Sequence, residues 1–127
     1  MNYKLRTSKK AEEDLKTLQK NTRLQPFLLA RLAISLSLRD EIPVEVNEIK
    51  DITGLEFNRN TLTGEYDGLF KSLIVQHLGR TLTDEEYFPL YLKAHLERGL
   101  PSLNEYYQYA GNSEKFIIHL SRLGGAE

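Results

Sequence analysis

A chain of 127 residues has the length of one ordinary domain, enough for one modest core and too little for two. With 40% hydrophobic and 28% charged residues it has a globular balance, which argues against disorder and against a membrane-embedded fold. Without cysteine it can form no disulfide, thiolate zinc site or cysteine nucleophile. The net charge of −1 hides a division: residues 1–39 carry nine Lys or Arg against Glu12, Glu13 and Asp14, a net of +6, whereas residues 40–127 carry eight against fifteen acids, a net of −7. A basic end points to a polyanionic partner, the plainer alternative being a charge match between neighbouring subunits.

Residues Asn2 to Thr7 alternate, Tyr3 and Leu5 to one side and Lys4 and Arg6 to the other, which predicts a short half-buried strand. Ser8 then serves as N-cap of a helix to about Lys20, with Ala11, Leu15 and Leu18 along its apolar face. Asn21 to Pro26 reads as a turn, and Pro26 opens a second helix that ends near Leu38. That helix is apolar on more than one face, so a partner subunit is expected to cover part of it, through Phe27, Leu28, Leu32 and Leu36. Arg31 interrupts its longest apolar run, Phe27 to Ala30, which is too short to span a membrane. The N-terminus shows no secretory pattern, so a cytoplasmic location with no membrane partner is expected.

Pro43 to Ile49 is expected to hold a short extended piece, with Val44 and Val46 on one side, and Asp51 to Gly64 a connecting loop. Helical spacing returns at Leu69, Phe70, Leu73, Ile74 and Leu78, with Gly79 as terminator. Thr83 and Glu86 have capping-box spacing. Because of Pro89, the regular helix is expected to begin near Tyr87 or Phe88 and to run to Arg98, stopped by Gly99 and Pro101. A short helix is expected over Ser102 to Ala110. A last one, capped by Ser113 and ended by Gly124 and Gly125, carries Phe116, Ile117, Leu120 and Leu123 on a stripe. The fold class is therefore mainly α: a compact single domain over residues 1–127, made of a basic strand-helix-helix part (1–39) and an acidic helical part (40–127).

A strand followed by two helices is the layout of a ribbon-helix-helix half, in which two chains pair strands into a ribbon that enters a DNA major groove; the alternative is a strand paired inside the domain. On the first model Lys4 and Arg6 face outward, and Lys9, Lys10, Lys20, Arg23 and the amides at Phe27 and Leu28 meet phosphates. The string Gly54 to Glu65 presents Asn58, Arg59 and Asn60, which suit phosphate or base edges. Chemistry alone favours a structural use, Asn58 and Thr61 capping turns and Arg59 pairing with Glu56 or another acid.

That string resembles the DndE family of DNA sulfur modification proteins. So do Lys4-Leu5-Arg6-Thr7-Ser8, Pro26-Phe-Leu-Leu-Ala-Arg-Leu-Ala33, Glu56-Phe-Asn-Arg-Asn-Thr-Leu-Thr-Gly-Glu65 and His95-Leu-Glu-Arg-Gly99, which together cover most of residues 3–105 in family order. The tail from about Tyr106 lies outside the pattern. The resemblance implies a component of the bacterial machinery that replaces a non-bridging phosphate oxygen of DNA by sulfur, a restriction-modification setting in which a cysteine desulfurase and an iron–sulfur protein mobilise the sulfur. It also implies a homo-oligomer, a tetramer, that binds duplex and especially nicked DNA beside other modification proteins.

Catalysis is not expected. His77, His95 and His119 lack two-histidine metal spacing, no Walker-type loop is present, and His95 reads as a structural histidine, although Glu48, Asp51 and Glu56 are acids that a fold can bring together. The expected DNA contacts are Lys4, Arg6, Lys9, Lys10, Lys20, Arg23 and Arg59, with no cofactor and no metal. A protein scaffold, or a ribbon-type transcription regulator, is the alternative.

Overall fold

The computed structural model describes residues 3–111 and 113–125. Chain order is β1 (Lys4–Arg6), α1 (Lys9–Thr22), α2 (Pro26–Arg39), β2 (Glu56–Asn58), α3 (Arg59–Leu62), a 3-10 turn (Gly64–Tyr66), α4 (Asp67–Leu78), α5 (Asp84–Glu86), a π segment (Tyr87–Leu92), α6 (Lys93–Ala110) and α7 (Ser113–Gly125). The expected strand start at Asn2 lies outside the described residues, as do the Ser113 and Leu123 side chains invoked for the cap and stripe of the last helix.

α1 forms where Ser8 accepts from the Ala11 amide through Oγ at 3.0 Å, and it buries Ala11, Asp14, Leu15 and Leu18, one turn apart along a single face. Ser8 is itself held by α6: its amide and hydroxyl donate to the buried Glu97 carboxylate at 2.7 and 2.6 Å. α2 buries Leu29, Ala30, Ala33, Ile34 and Ser37, chiefly against His95, Leu96, Gly99, Leu100 and Leu103 of α6. Much of the cover that the apolar richness of α2 demands thus comes from the same chain.

Four expectations change. β1 pairs antiparallel with β2 of its own chain, Leu5 opposite Phe57, so the ribbon closes within the chain. Asp51 to Gly64 contains β2 and α3 because Asn58, while pairing with Lys4, also accepts from the Thr61 amide and starts a helical turn. Pro43 to Ile49 forms no strand; Val44 and Val46 are half-buried in an irregular loop. The Thr83–Glu86 capping box is present, but the helix does not stop at Gly99 or Pro101: α6 runs through both to Ala110, absorbing the helix expected over Ser102 to Ala110. Gly99 lies where a Cβ would overlap the Ala33 carbonyl, so it permits close α2–α6 approach rather than ending the helix. Pro89 sits in the π segment, whose wider turn already departs from the regular hydrogen-bond ladder that proline would break.

Candidate nucleic-acid interface

α1 and α2 form a hairpin whose turn, residues 23–25, lies at one end, while the Ser8 cap and the loop after Arg39 lie toward the other. Fourteen residues of α1 separate the ends by about 20 Å. The expected cations fall into three groups on this frame. Lys4 and Arg6 lie on the outer face of β1 and both reach Glu56, at 3.5 and 2.7 Å. Lys9 pairs with Glu12 at 2.8 Å and Lys10 with Asp14 at 3.3 Å, while Lys16 also reaches Glu12 at 3.4 Å. These are i,i+3 and i,i+4 pairs of one helix face. The basic first third is therefore largely balanced where it is densest.

Lys20 and Arg23, at the hairpin turn, are exposed and have no carboxylate within ion-pair distance among the described residues. Arg23 closes α1 with its amide on the Gln19 carbonyl and takes a left-handed conformation, φ 64°; among the described residues it is the single non-glycine with positive φ. Glycine or asparagine usually fills such a cap, since a Cβ there is strained. Beside it α2 starts without a side-chain cap and without an acid in its first turn, which leaves the positive end of the helix bare.

Arg59 is placed differently. Its Nε and Nη2 donate to Asp67 at 3.0 and 2.6 Å, and Nη2 also to Asp84 at 3.2 Å; the guanidinium faces the rings of Tyr3, Tyr87 and Phe88 and is 16% exposed. The hydrogen bonds to Asp67 raise its already high pKa further, and burial with the Asp67 charge beside it raises the Tyr87 phenol. The structural use favoured by chemistry is the one observed, with Asp67 and Asp84 in place of Glu56. Of the expected oligomer residues Leu28 is exposed, while Phe27, Leu32 and Leu36 pack partly against the core.

Two of the three histidines, His77 and His95, are brought together where sequence spacing kept them apart, while the His119 side chain lies outside what the structure describes. His77 and His95 rings meet edge to face at 5.2 Å. Arg98 Nε donates to Ser37 Oγ at 2.8 Å, and Ser37 Oγ in turn shares a hydrogen bond with His95 Nδ1, also at 2.8 Å, whose direction follows the imidazole tautomer. Burial above all, then the charges of His77 and Arg98, pull His95 down to about 3. Its folded pKa is thus below the unfolded value of about 6.5, so the unfolded chain takes the proton first. Stability from this site is complete above about 6.5 and is lost as pH falls from there toward 3. Thermal melts are expected to fall between pH 6.5 and 4.5 for the native chain and to stay flatter over that interval for His95→Gln; equal slopes would show that His95 does not titrate this way.

Asp51 is held at about 2 by the Thr53 hydroxyl and by the Lys9 and Thr53 amides, and Glu56 is engaged by Lys4 and Arg6, so two of the three acids weighed for a metal site serve the fold, while Glu48 stands exposed. Among the described residues no three His, Cys, Asp or Glu side chains gather as a metal-binding group, and no helix is long and apolar enough to cross a membrane.

No curated relative matches the chain. Among solved structures, DndE from Escherichia coli B7A, described as involved in DNA phosphorothioation modification, is similar at 25% identity and a TM-score of 0.65, over 79% of this chain and 94% of that one. A mutant DndE involved in DNA phosphorothioation shares the fold at 24% identity and a TM-score of 0.64, over 78% and 94%. The profile of the DNA sulphur modification protein DndE matches residues 4–110, from β1 to the end of α6, and the chain belongs to the DndE family.

Proposed function

We propose that this chain is a non-catalytic, cytoplasmic DNA-binding subunit of the bacterial DNA phosphorothioate modification machinery, gripping the backbone of duplex or nicked DNA at the α1–α2 turn with little preference for base sequence. The observation that carries the reading is Arg23, a long cation in a backbone conformation that glycine would occupy without strain, beside Lys20 and the bare start of α2. Strain retained at an exposed position points to use of the side chain. Lys4, Arg6, Lys9 and Lys10 are secondary contacts, because each cation is itself exposed, its ion pair is weak in water, and a phosphate can replace the carboxylate.

Two free cations give a single chain little hold on DNA. Several copies in one particle multiply it, which is why a homo-oligomer, a tetramer using Leu28 with Phe27, Leu32 and Leu36, belongs to the proposal. A nick favours binding because an interrupted duplex bends more cheaply. A transcription regulator with a two-chain ribbon is disfavoured, since β1 is already paired within the chain.

The test is a Lys20→Gln, Arg23→Gly double variant, titrated with intact and nicked duplexes over a range of salt. Affinity is expected to fall about tenfold for both, and the slope of log affinity against log salt to shrink by about 0.9 for each phosphate that is no longer neutralised. Stability should be unchanged or up to about 1 kcal/mol higher, as the left-handed cap relaxes. Undiminished affinity in dilute buffer would sink the assignment.

A further inference from the structure

At the opposite end of the hairpin from Lys20 and Arg23, residues 40–55 run between α2 and β2 without helix or strand. A stretch of that length in a compact domain is uncommon unless it is used. It is held in shape. Arg98 donates to the Ser37 and Ile42 carbonyls, His77 to that of Asp40, and the buried Lys93 to that of Asp51 at 2.7 Å, while Gly54 bonds back to Thr7. With the π segment and α6 it encloses an open groove of about 850 Å³.

The groove combines two features. Ile42, Ile52 and Leu90 stand 68%, 57% and 44% exposed along it, and Ile49 joins them, an apolar lining that no described residue covers. Its rim is acidic. Glu45 and Glu48 line it and Glu41 stands beside it, all three exposed and without an ion-pair partner among the described residues, against Lys50; Lys4 and Arg6 on the far wall are already occupied by Glu56. The two other cations nearby, the buried Lys93 and the partly buried Arg98, hold the loop's carbonyls, and Arg98 reaches Asp40 at 3.8 Å, so neither pairs with these acids.

We propose that this groove docks a segment of another protein that carries Lys or Arg beside apolar side chains, the apolar groups entering between Ile42, Ile52 and Leu90 and the cations meeting Glu45 and Glu48. The free carboxylates of Glu45 and Glu48 offer nothing to a phosphate backbone. A loop fixed beforehand lowers the ordering cost of binding, and unpaired rim carboxylates steer a basic partner. The inference does not rest on the DNA reading, whose cations lie about 20 Å away at the other end of α1.

The probe is a pair of short synthetic amphipathic helices, leucines on one face and lysines on the other, or glutamates in place of the lysines, titrated against the full chain by fluorescence anisotropy. The lysine helix is expected to bind in a salt-sensitive way and the glutamate helix not. Glu45→Lys with Glu48→Lys should weaken the lysine helix about tenfold, and Ile42→Ser with Ile52→Ser should weaken it at any salt, each with an unchanged melt. Lys20→Gln with Arg23→Gly should leave this binding intact while reducing DNA affinity, so the two sites fail separately. The proposal is overturned if the lysine helix does not bind, if both helices bind alike, or if the groove variants leave its affinity unchanged. It is also overturned if those variants change the particle mass in sedimentation, which would make the occupant a second copy of the chain.

Discussion

Alanine at Gly99 is expected to destabilise the protein by about 3 kcal/mol or more, against the gain of up to about 1 kcal/mol that helix propensity alone assigns to this exchange. The sign is decided by Ala33. Gly99 sits inside α6 at its approach to α2, and an added Cβ would overlap the Ala33 carbonyl, a backbone atom that cannot rotate away. Relief requires α2 and α6 to move apart along the seam that buries Leu29, Ala30, Ile34, Leu96, Leu100 and Leu103. A melting temperature lower by roughly 10 °C follows for a domain of this size. Gly68 provides the control: it lies in α4 with open space around its Cβ position, so Gly68→Ala should be neutral or mildly stabilising. If both substitutions raised the melt, the close α2–α6 approach would be wrong.

The same glycine shows where the sequence was legible and where it was not. Helices α1, α2 and α4 announce themselves through apolar periodicity, the Ser8 cap, Pro26 at the first helical position and Gly79 in its left-handed cap. Gly99 and Pro101 carry the local signature of a helix end, yet here packing against α2 outweighs local preference, and nothing near residue 99 in sequence reveals that Ala33 is its neighbour. β2 was hidden for a related reason: a three-residue strand exists only because β1 supplies its partner about fifty positions earlier. The site divides similarly. Pairing of Lys9 with Glu12 and Lys10 with Asp14 can be read from helical spacing, and it already removes two cations from the basic end. That Glu56 takes Lys4 and Arg6, and that the free cations concentrate at Lys20 and Arg23, depends on long-range folding. The positive φ of Arg23 has no sequence signal, since arginine is an unusual residue for that cap.

Arg59→Ala should be the most damaging change among the cations first assigned to DNA, and its damage should appear in stability rather than in DNA affinity per folded molecule. The guanidinium makes a forked contact to Asp67, itself 23% exposed and also bonded by Thr63 Oγ1 at 2.7 Å and Tyr87 Oη at 3.0 Å. Removing it leaves a largely buried carboxylate short of its cation, a loss of about 3 kcal/mol, while the interaction with the half-exposed Asp84 adds little. Arg59→Lys keeps the charge but cannot make the fork, and an intermediate loss is expected. A pH signature separates this from simple loss of packing. Burial works against the charged form of Asp67, but Arg59, Thr63 and Tyr87 together still hold its pKa below the ordinary 3.8. A carboxylate depressed in the folded state contributes stability that is complete above the unfolded pKa and is lost as pH falls through the folded one. The gap in unfolding free energy between the native chain and Arg59→Ala should therefore be widest at neutral pH and close below about pH 4. A gap that persists unchanged into acid would assign the loss to the stacked rings of Tyr3, Tyr87 and Phe88. A drop in DNA affinity without a change in stability would return Arg59 to the nucleic-acid surface.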